Sequence, residues 1–540
     1  MRDLAYLKLL SREYPNIRAA ASDIINLQAI CGLPKGTEYF FSDLHGEHEA
    51  FIYLLRSSSG IIREKIRETF GHIISEEDEV RLANLIYYPE KMINQIKQAN
   101  EYTEDWQKTA VYRLVQICRE VSSKYTRSKV RKKMPKEFSG VIDELLYVDN
   151  TDDNKTEYYS ELINTLIDVR VADSFIVVIC SLIRSLTIDN LHILGDIFDR
   201  GPRPDIILEE LMHFHDVDIQ WGNHDISWMG AATGNRACIC NVLRMALGYN
   251  GFDVLEDGYG INLRPLSMFA ERVYRDDPCT CFLPQILDKN IYDAVDPKLA
   301  AKMHKAIAVL QYKEEGQIIK RHPEYGMEER ILLSAIRYDR GTVTIDGKEY
   351  PMRDMNFPTV DPADPLRLTD EEEELLHTLE LSFRHNARLH EHVRFLYSNG
   401  SMYKCCNSNL LYHGCIPMTE NREFDGLMVG GKMYRGKELM DFIDTQVKNA
   451  YFLPEDAPEK EACRDFMWYL WNGAKSPVFG KDKNRSFEHY FIEDPEVMRE
   501  TMNPYYQLSE EEETCDMILK EFGLPTKGSH IINGHVPVKT

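Results

Sequence analysis

Five short segments set aspartate, asparagine or histidine beside glycine: Asp43-Leu44-His45-Gly46, Gly195-Asp196-Ile197-Phe198-Asp199-Arg200-Gly201, Gly222-Asn223-His224-Asp225, Tyr412-His413-Gly414 and Asn533-Gly534-His535. Carboxylate and carboxamide oxygens and imidazole nitrogens are the donors that suit divalent first-row cations. Flanking glycines let one backbone approach another closely. Any one segment also reads as a turn, because aspartate caps helices and Asn and Gly favour positive φ. Five of them, each behind a run that reads as a strand, point to one centre assembled from distant parts of the chain.

Such a centre needs strands that end at the donors. Residues 38–42, 189–193 and 217–221 read as strands. Glycine-bearing loops follow, and the second and third lead into the helical runs IILEELMHF and ISWMGAA. Strand, loop and helix in that order is the rhythm of a layered α/β domain. Residues 410–418 and 530–538 read as later strand-to-loop segments. Before the first strand, residues 1–36 read as helical, with a cap at Ser22-Asp23 and breaks at Gly32, Pro34 and Gly36. Residues 37–540 then form one domain with helical insertions at about 57–187 and 260–399. Within the second insertion, residues 370–374 read as the acidic start of a solvated helix. The densest basic run, residues 124–136, reads as a solvated helix face, with an anion or effector site as the alternative.

The chain has 540 residues and a net charge of −23. That balance disfavours nucleic acid or an anionic membrane as partner. An anionic substrate then needs a local positive field, such as bound metal. The first residues lack a basic stretch followed by an apolar one, and no apolar run reaches about 18 residues, so the expected location is the cytoplasm. Twelve cysteines, including Cys238/Cys240, Cys279/Cys281 and Cys405/Cys406, lack a CxxC…CxxC frame and read as reduced thiols. Oligomeric state is not legible.

The order Asp-x-His, Gly-Asp-x-x-Asp-Arg, Gly-Asn-His-Asp, His and Gly-His resembles the calcineurin-like metallophosphatases. Within them the chain is similar to the class III fructose-1,6-bisphosphatases of low-GC Gram-positive bacteria, through FSDLHGEHEAF, LHILGDIFDRGPRPD, WGNHDISWMGAA, NSNLLYHGCIPM and INGHVPVK. The resemblance implies an α/β/β/α sandwich with large helical insertions. It implies further strands past the last Gly-His motif, which leaves the C-terminal sheet incomplete in a chain ending at residue 540. It also implies a two-metal centre: Asp43 and His45 on one cation, Asp196 bridging, and Asn223, His413 and His535 on the other. Such a pair activates water for attack on phosphorus. His224, charged and oriented by Asp199, is the implied general acid, and Arg200 offers a planar fork to phosphate oxygens. His48 and Asp225 read as supports of the ligands.

The distal phosphate of a sugar bisphosphate needs further cations, for which Arg236, Arg244 and Arg203 are candidates. With no thiolate in the donor set, Mn2+ is the expected ion, with iron or zinc as the alternatives. The implied reaction converts fructose 1,6-bisphosphate to fructose 6-phosphate, a gluconeogenic step. The alternatives are a protein serine/threonine phosphatase, a dinucleoside polyphosphate hydrolase, or a non-catalytic metal-binding scaffold.

Overall fold

The aromatic run before Asp43 forms strand β1 (Glu38–Phe41), and the next two runs form β2 (Asn190–Ile193) and β3 (Val217–Gln220). The computed structural model describes residues 2–33, 36–71, 73–147, 153–285 and 296–537. Pro34 and Val538 lie outside the described residues. A meander of β4 (Ile336–Arg337), β5 (Thr342–Ile345) and β6 (Lys348–Pro351) interrupts the stretch expected to be helical up to residue 399. These strands are two to four residues long and partly polar, so they carry little period-two signal. Strand β7 (Gly400–Ser401) runs parallel to β3 and completes a four-stranded sheet in the order β1-β2-β3-β7. All of β3 is buried, Asp218 and Gln220 included, and the Asp218 carboxylate meets His192 Nδ1 at 2.9 Å and accepts from Gln220 Nε2 at 2.9 Å.

Strands β8 (Tyr403–Cys406) and β9 (Asn409–Tyr412) pair antiparallel, and a hairpin follows from β10 (Gly426–Val429) and β11 (Lys432–Arg435). Strand β12 (His530–Ile532) joins β9 in parallel, in the register His530 to Asn409 and Ile532 to Leu411. The resulting mixed sheet, β12-β9-β8, has β12 at its edge. The architecture is therefore α/β.

Two compact units divide the chain: Met1–Tyr39 with Ile52–Leu191, and Phe40–Phe51 with His192–Thr540. In the first unit, helices such as Ile61–Phe70, Glu104–Ser122 and Ala172–Thr187 bury a shared core that includes Ile62, Ile66, Leu114, Val115, Phe175 and Ile179. The N-terminal segment is two helices, Arg2–Glu13 and Ile17–Cys31. Asn16 caps the second of these through its side chain, whereas Ser22 and Asp23, expected to cap, lie inside it; the chain breaks at Pro15, about two turns earlier than expected. The basic run forms the helix Arg127–Lys133. It is not simply a solvated face: Lys129 and Lys133 pair with Asp189, and Arg127 and Arg131 with Asp143.

The second unit contains the remaining sheets and a 25-residue helix, Pro297–Arg321, buried along most of its length. Its buried Lys313 ammonium binds the Glu372 carboxylate at 2.7 Å. Glu372 therefore leaves the solvated face expected for residues 370–374, because a buried cation needs a compensating charge. It also closes a capping box with Thr369 at the start of helix Asp370–Arg384.

Candidate metal centre

Backbone hydrogen bonds zip the donor loops together. Asp43, His45 and Gly46 donate their N–H groups to the carbonyls of Gly195, Asp196 and Ile197, at 3.0, 2.8 and 2.8 Å. The Asp225 carboxylate accepts from the N–H groups of Asp196, Ile197 and Gly222, at 2.8, 2.9 and 3.0 Å, and so ties the second loop to the third. Gly534 donates to the His413 carbonyl at 2.8 Å, and the His535 N–H reaches Asp43 Oδ2 at 3.1 Å. Helix Asn223–Thr233 starts at this junction, and its free His224 N–H donates to Asp196 Oδ1 at 3.1 Å. An anion at a helix N-terminus is stabilised by such unpaired N–H groups and by the helix dipole.

The chain is bent hard to achieve this. Asp43, His45, Asp196, Asp199, Arg200 and His535 all have positive φ, between 42° and 72°, six of the sixteen non-glycine residues in that region among those described. Left-handed backbone costs roughly 1–3 kcal/mol for each such residue and persists where the surroundings enforce it, as at functional sites.

The side chains converge on Asp196. Its Oδ2 lies 3.3 Å from His413 Nε2 and 3.9 Å from His45 Nε2, and His45 Nε2 lies 3.9 Å from Asp43 Oδ1. His413 Nε2 and His535 Nδ1 are 3.1 Å apart. Two donor groups result, His45/Asp196/His224 and Asp196/His413/His535, each with its ligand atoms within 4.8 Å of one another. Asn223 Oδ1 is buried at the same place without a hydrogen-bond partner. An orphaned buried carbonyl oxygen beside carboxylates and imidazoles fits a divalent cation, which accepts such donors. The His45 and His413 rings are oriented from behind, as Nδ1 of each meets a carbonyl oxygen, of Phe198 at 3.1 Å and Leu194 at 2.6 Å.

Charge is strongly redistributed. Burial alone raises the Asp196 pKa, but the imidazoles of His413, His224 and His45 reverse this and hold it well below the usual range. Burial opposes a charged His413, yet the Asp196 carboxylate pushes its pKa up to about 9. His535 is brought down to about 4 by burial and by His413. Burial and then His224 lower His45. His224 is raised, since Asp196 and Asp199 outweigh its burial. A cluster that traps protons between carboxylates and imidazoles exchanges them for a cation when one binds.

The remaining sequence candidates fall as follows. Asp199 Oδ2 accepts from His224 Nδ1 at 2.7 Å, the expected dyad. Arg200 is exposed, and its positive charge works against protonation of both His45 and His224. His48 opens the helix His48–Ser57. The three candidates for a distal phosphate are taken by protein partners. Arg236 pairs with Glu373 and Glu380, Arg203 with Asp205, and buried Arg244 donates to Gln311, Asn241 and Tyr490. Two tryptophans were missed. Trp228 Nε1–H donates to Asp199 Oδ1 at 2.8 Å, and the Trp471 ring stands edge-on to His224 with centroids 4.9 Å apart. Trp228 carries a readable signal, since it follows His224 by four residues and so shares its helix face.

Residues 5–540 match the family described as Firmicute fructose-1,6-bisphosphatase. The chain is 52% identical over 538 residues to the class 3 fructose-1,6-bisphosphatase of Clostridium tetani. It is 51% identical over 539 residues to that of Bacteroides fragilis and 49% identical over 538 residues to that of Clostridium acetobutylicum. Each alignment covers 100% of this chain and 81% of the relative. No solved structure matches the chain.

Proposed function

The chain belongs to the Firmicute fructose-1,6-bisphosphatase family and is an enzyme that hydrolyses fructose 1,6-bisphosphate, and we propose that it does so at the centre around Asp196. The bond cleaved is the C1 phosphoester, the product is fructose 6-phosphate, and the step is gluconeogenic. One observation carries this reading: Asp196 belongs to both donor groups, while the buried Asn223 Oδ1 beside it has no protein partner. Asp43, His45 and Asp196 would hold one divalent cation, and Asp196, Asn223, His413 and His535 a second. Mn2+ is the ion proposed, because the set contains two carboxylates, three imidazoles and a carboxamide but no thiolate. Two such cations, when bound, supply positive charge for phosphate oxygens and acidify a water molecule.

The chain's own residues do the rest. Arg200 presents a planar guanidinium, suited to two oxygens of the transferring phosphoryl group. His224 keeps its Nδ1–H on Asp199, which leaves Nε2 to hand a proton to the departing sugar oxygen. The four-stranded sheet and the β12-β9-β8 sheet would be the two layers of the sandwich that the resemblance implies. No helix among the described residues is long and apolar enough to cross a membrane, and all twelve cysteines are free thiols, in keeping with work in the reducing cytoplasm.

Metal analysis with and without His413 tests the assignment. Purified enzyme should retain about two Mn2+ per chain, and His413→Ala should lose at least one along with sugar bisphosphate hydrolysis. Full turnover after exhaustive chelation would overturn it.

A further inference from the structure

Asp199 has two oxygens and two different donors. Oδ2 accepts from His224 Nδ1 at 2.7 Å, and Oδ1 accepts from the indole Nε1–H of Trp228 at 2.8 Å. Asp199, His224 and Trp228 are all buried, so water does not compete for these bonds. His224 and Trp228 lie four residues apart on the helix Asn223–Thr233, one above the other on one face. That helix is buried at every position. The Trp228 ring is itself wedged. It stacks on Phe198 with centroids 4.7 Å apart and planes at 15°, and packs against Tyr259 and Phe383 at 5.4 and 6.3 Å.

A carboxylate held by one donor can still swing about its Cβ–Cγ bond, because that torsion has a broad minimum. A second, charge-assisted bond from a rigid ring removes the freedom. We propose that Trp228 is a positioning residue of the phosphatase reaction, whose indole N–H clamps Asp199 so that His224 stays in one orientation with Nε2 facing the leaving oxygen. This rests on the reading that His224 delivers the proton. In that step the bond from phosphorus to the sugar oxygen breaks, its electron pair stays on that oxygen, and the oxygen takes the proton from Nε2. The attacking water gives its OH to phosphorus, and its remaining proton restores His224. Throughout, Nδ1–H stays on Asp199 and the indole N–H stays on the other oxygen.

Trp228→Phe keeps an aromatic ring against Phe198 and deletes the indole N–H along with one ring of the bicycle, and the His224→Ala background separates the lost bond from the lost volume. Because a general acid contributes about 10²–10⁴-fold, losing its alignment should lower kcat on fructose 1,6-bisphosphate by about tenfold, with KM and bound metal unchanged. The same substitution in a His224→Ala background should cost nothing further, since residues that act as a unit are not additive. Wild-type kcat in Trp228→Phe, or the same tenfold loss in the absence of His224, overturns the role of Trp228. An unaltered kcat in His224→Ala alone removes the general-acid reading beneath it, so the two failures are distinguishable. Should Trp228→Phe not fold, Asp199→Asn gives a second reading. One of the chain's five tryptophan indole N–H resonances should move upfield as its charged acceptor is lost, and the proposal falls if none does.

Discussion

Gly222 leaves no room for a side chain. A Cβ there would land on the Asp196 carboxylate and within 2.5 Å of the Asp196 backbone nitrogen. Its backbone is extended, with φ of −87°, so the constraint is purely one of space. Overpacking of this kind costs roughly 1–3 kcal/mol, and a displacement of about 1 Å at a reacting centre costs about 100-fold in rate. Gly222→Ala should therefore lower kcat/KM by about 100-fold and weaken metal retention, with a modest fall in melting temperature. Steady-state kinetics and metal analysis on one preparation check this, and near-normal activity would mean that the second and third loops are not packed this tightly. At this scale the convergence of the proposed donors on Asp196 was legible, because oxygen and nitrogen donors are recognisable by type and the glycines beside them mark close approach. The arginines were not. Arg236 and Arg244 offer the right charge for a phosphate, but Glu373, Glu380, Gln311 and Asn241 come to them from distant elements. Asp225 was readable as a support, yet its bonding to three backbone N–H groups exists only once two loops have met.

The long helix Pro297–Arg321 carries polar groups into the interior of the second unit. Glu314 on it is buried, with the Arg236 charge in its neighbourhood. Burial pushes its pKa from an ordinary 4.5 up to about 7, more than Arg236 pulls it back. The folded state thus holds a proton across that interval while the unfolded chain releases it. Stability contributed by this site falls as pH rises from about 4.5 to about 7, by up to about 3 kcal/mol in all. Glu314→Gln, which carries no proton to lose, should flatten that part of the stability profile and make the protein more stable than wild type at pH 8. Urea melts at pH 5 and pH 8 test both signs, and a variant less stable at pH 8 would refute the account. Elements were legible in proportion to their pattern. Strands β1, β2 and β3 were found because each stops at a short glycine-bearing loop, and after β2 and β3 a helical run follows. The helix Asn223–Thr233 was placed by its neighbours, since a helix buried on all sides has no polar face to reveal its period. The β4–β6 meander was missed because two-to-four-residue strands with exposed positions leave no alternation to count.

Across the whole chain, the sequence reads a helical insertion at about 57–187 between the first two strands, and the compact division of the structure falls within β1, within the helix His48–Ser57 and within β2. Amphipathic helices in series announce themselves by periodicity, whereas the pairing of the N-terminal helices with that stretch into one unit depends on tertiary contact and was not legible. The core of this unit is built from its own residues, between Ile62 and Leu186. A unit with its own apolar core gains its stability from that core, and multi-unit chains depart from two-state unfolding. Calorimetry should accordingly resolve a transition belonging to this unit. Leu114 is fully buried at the centre of its core, on the helix Glu104–Ser122. Leu114→Ala should destabilise the unit by about 2–5 kcal/mol through lost transfer energy and the cavity left behind. None of the proposed ligands, nor His224, Asp199 or Arg200, belongs to this unit. At a temperature below the shifted transition, kcat and metal content should therefore stay at wild-type levels. A single cooperative transition that moves as one in the variant, or a loss of metal at 25 °C, would show instead that the two cores unfold as one and that the centre draws its rigidity from both.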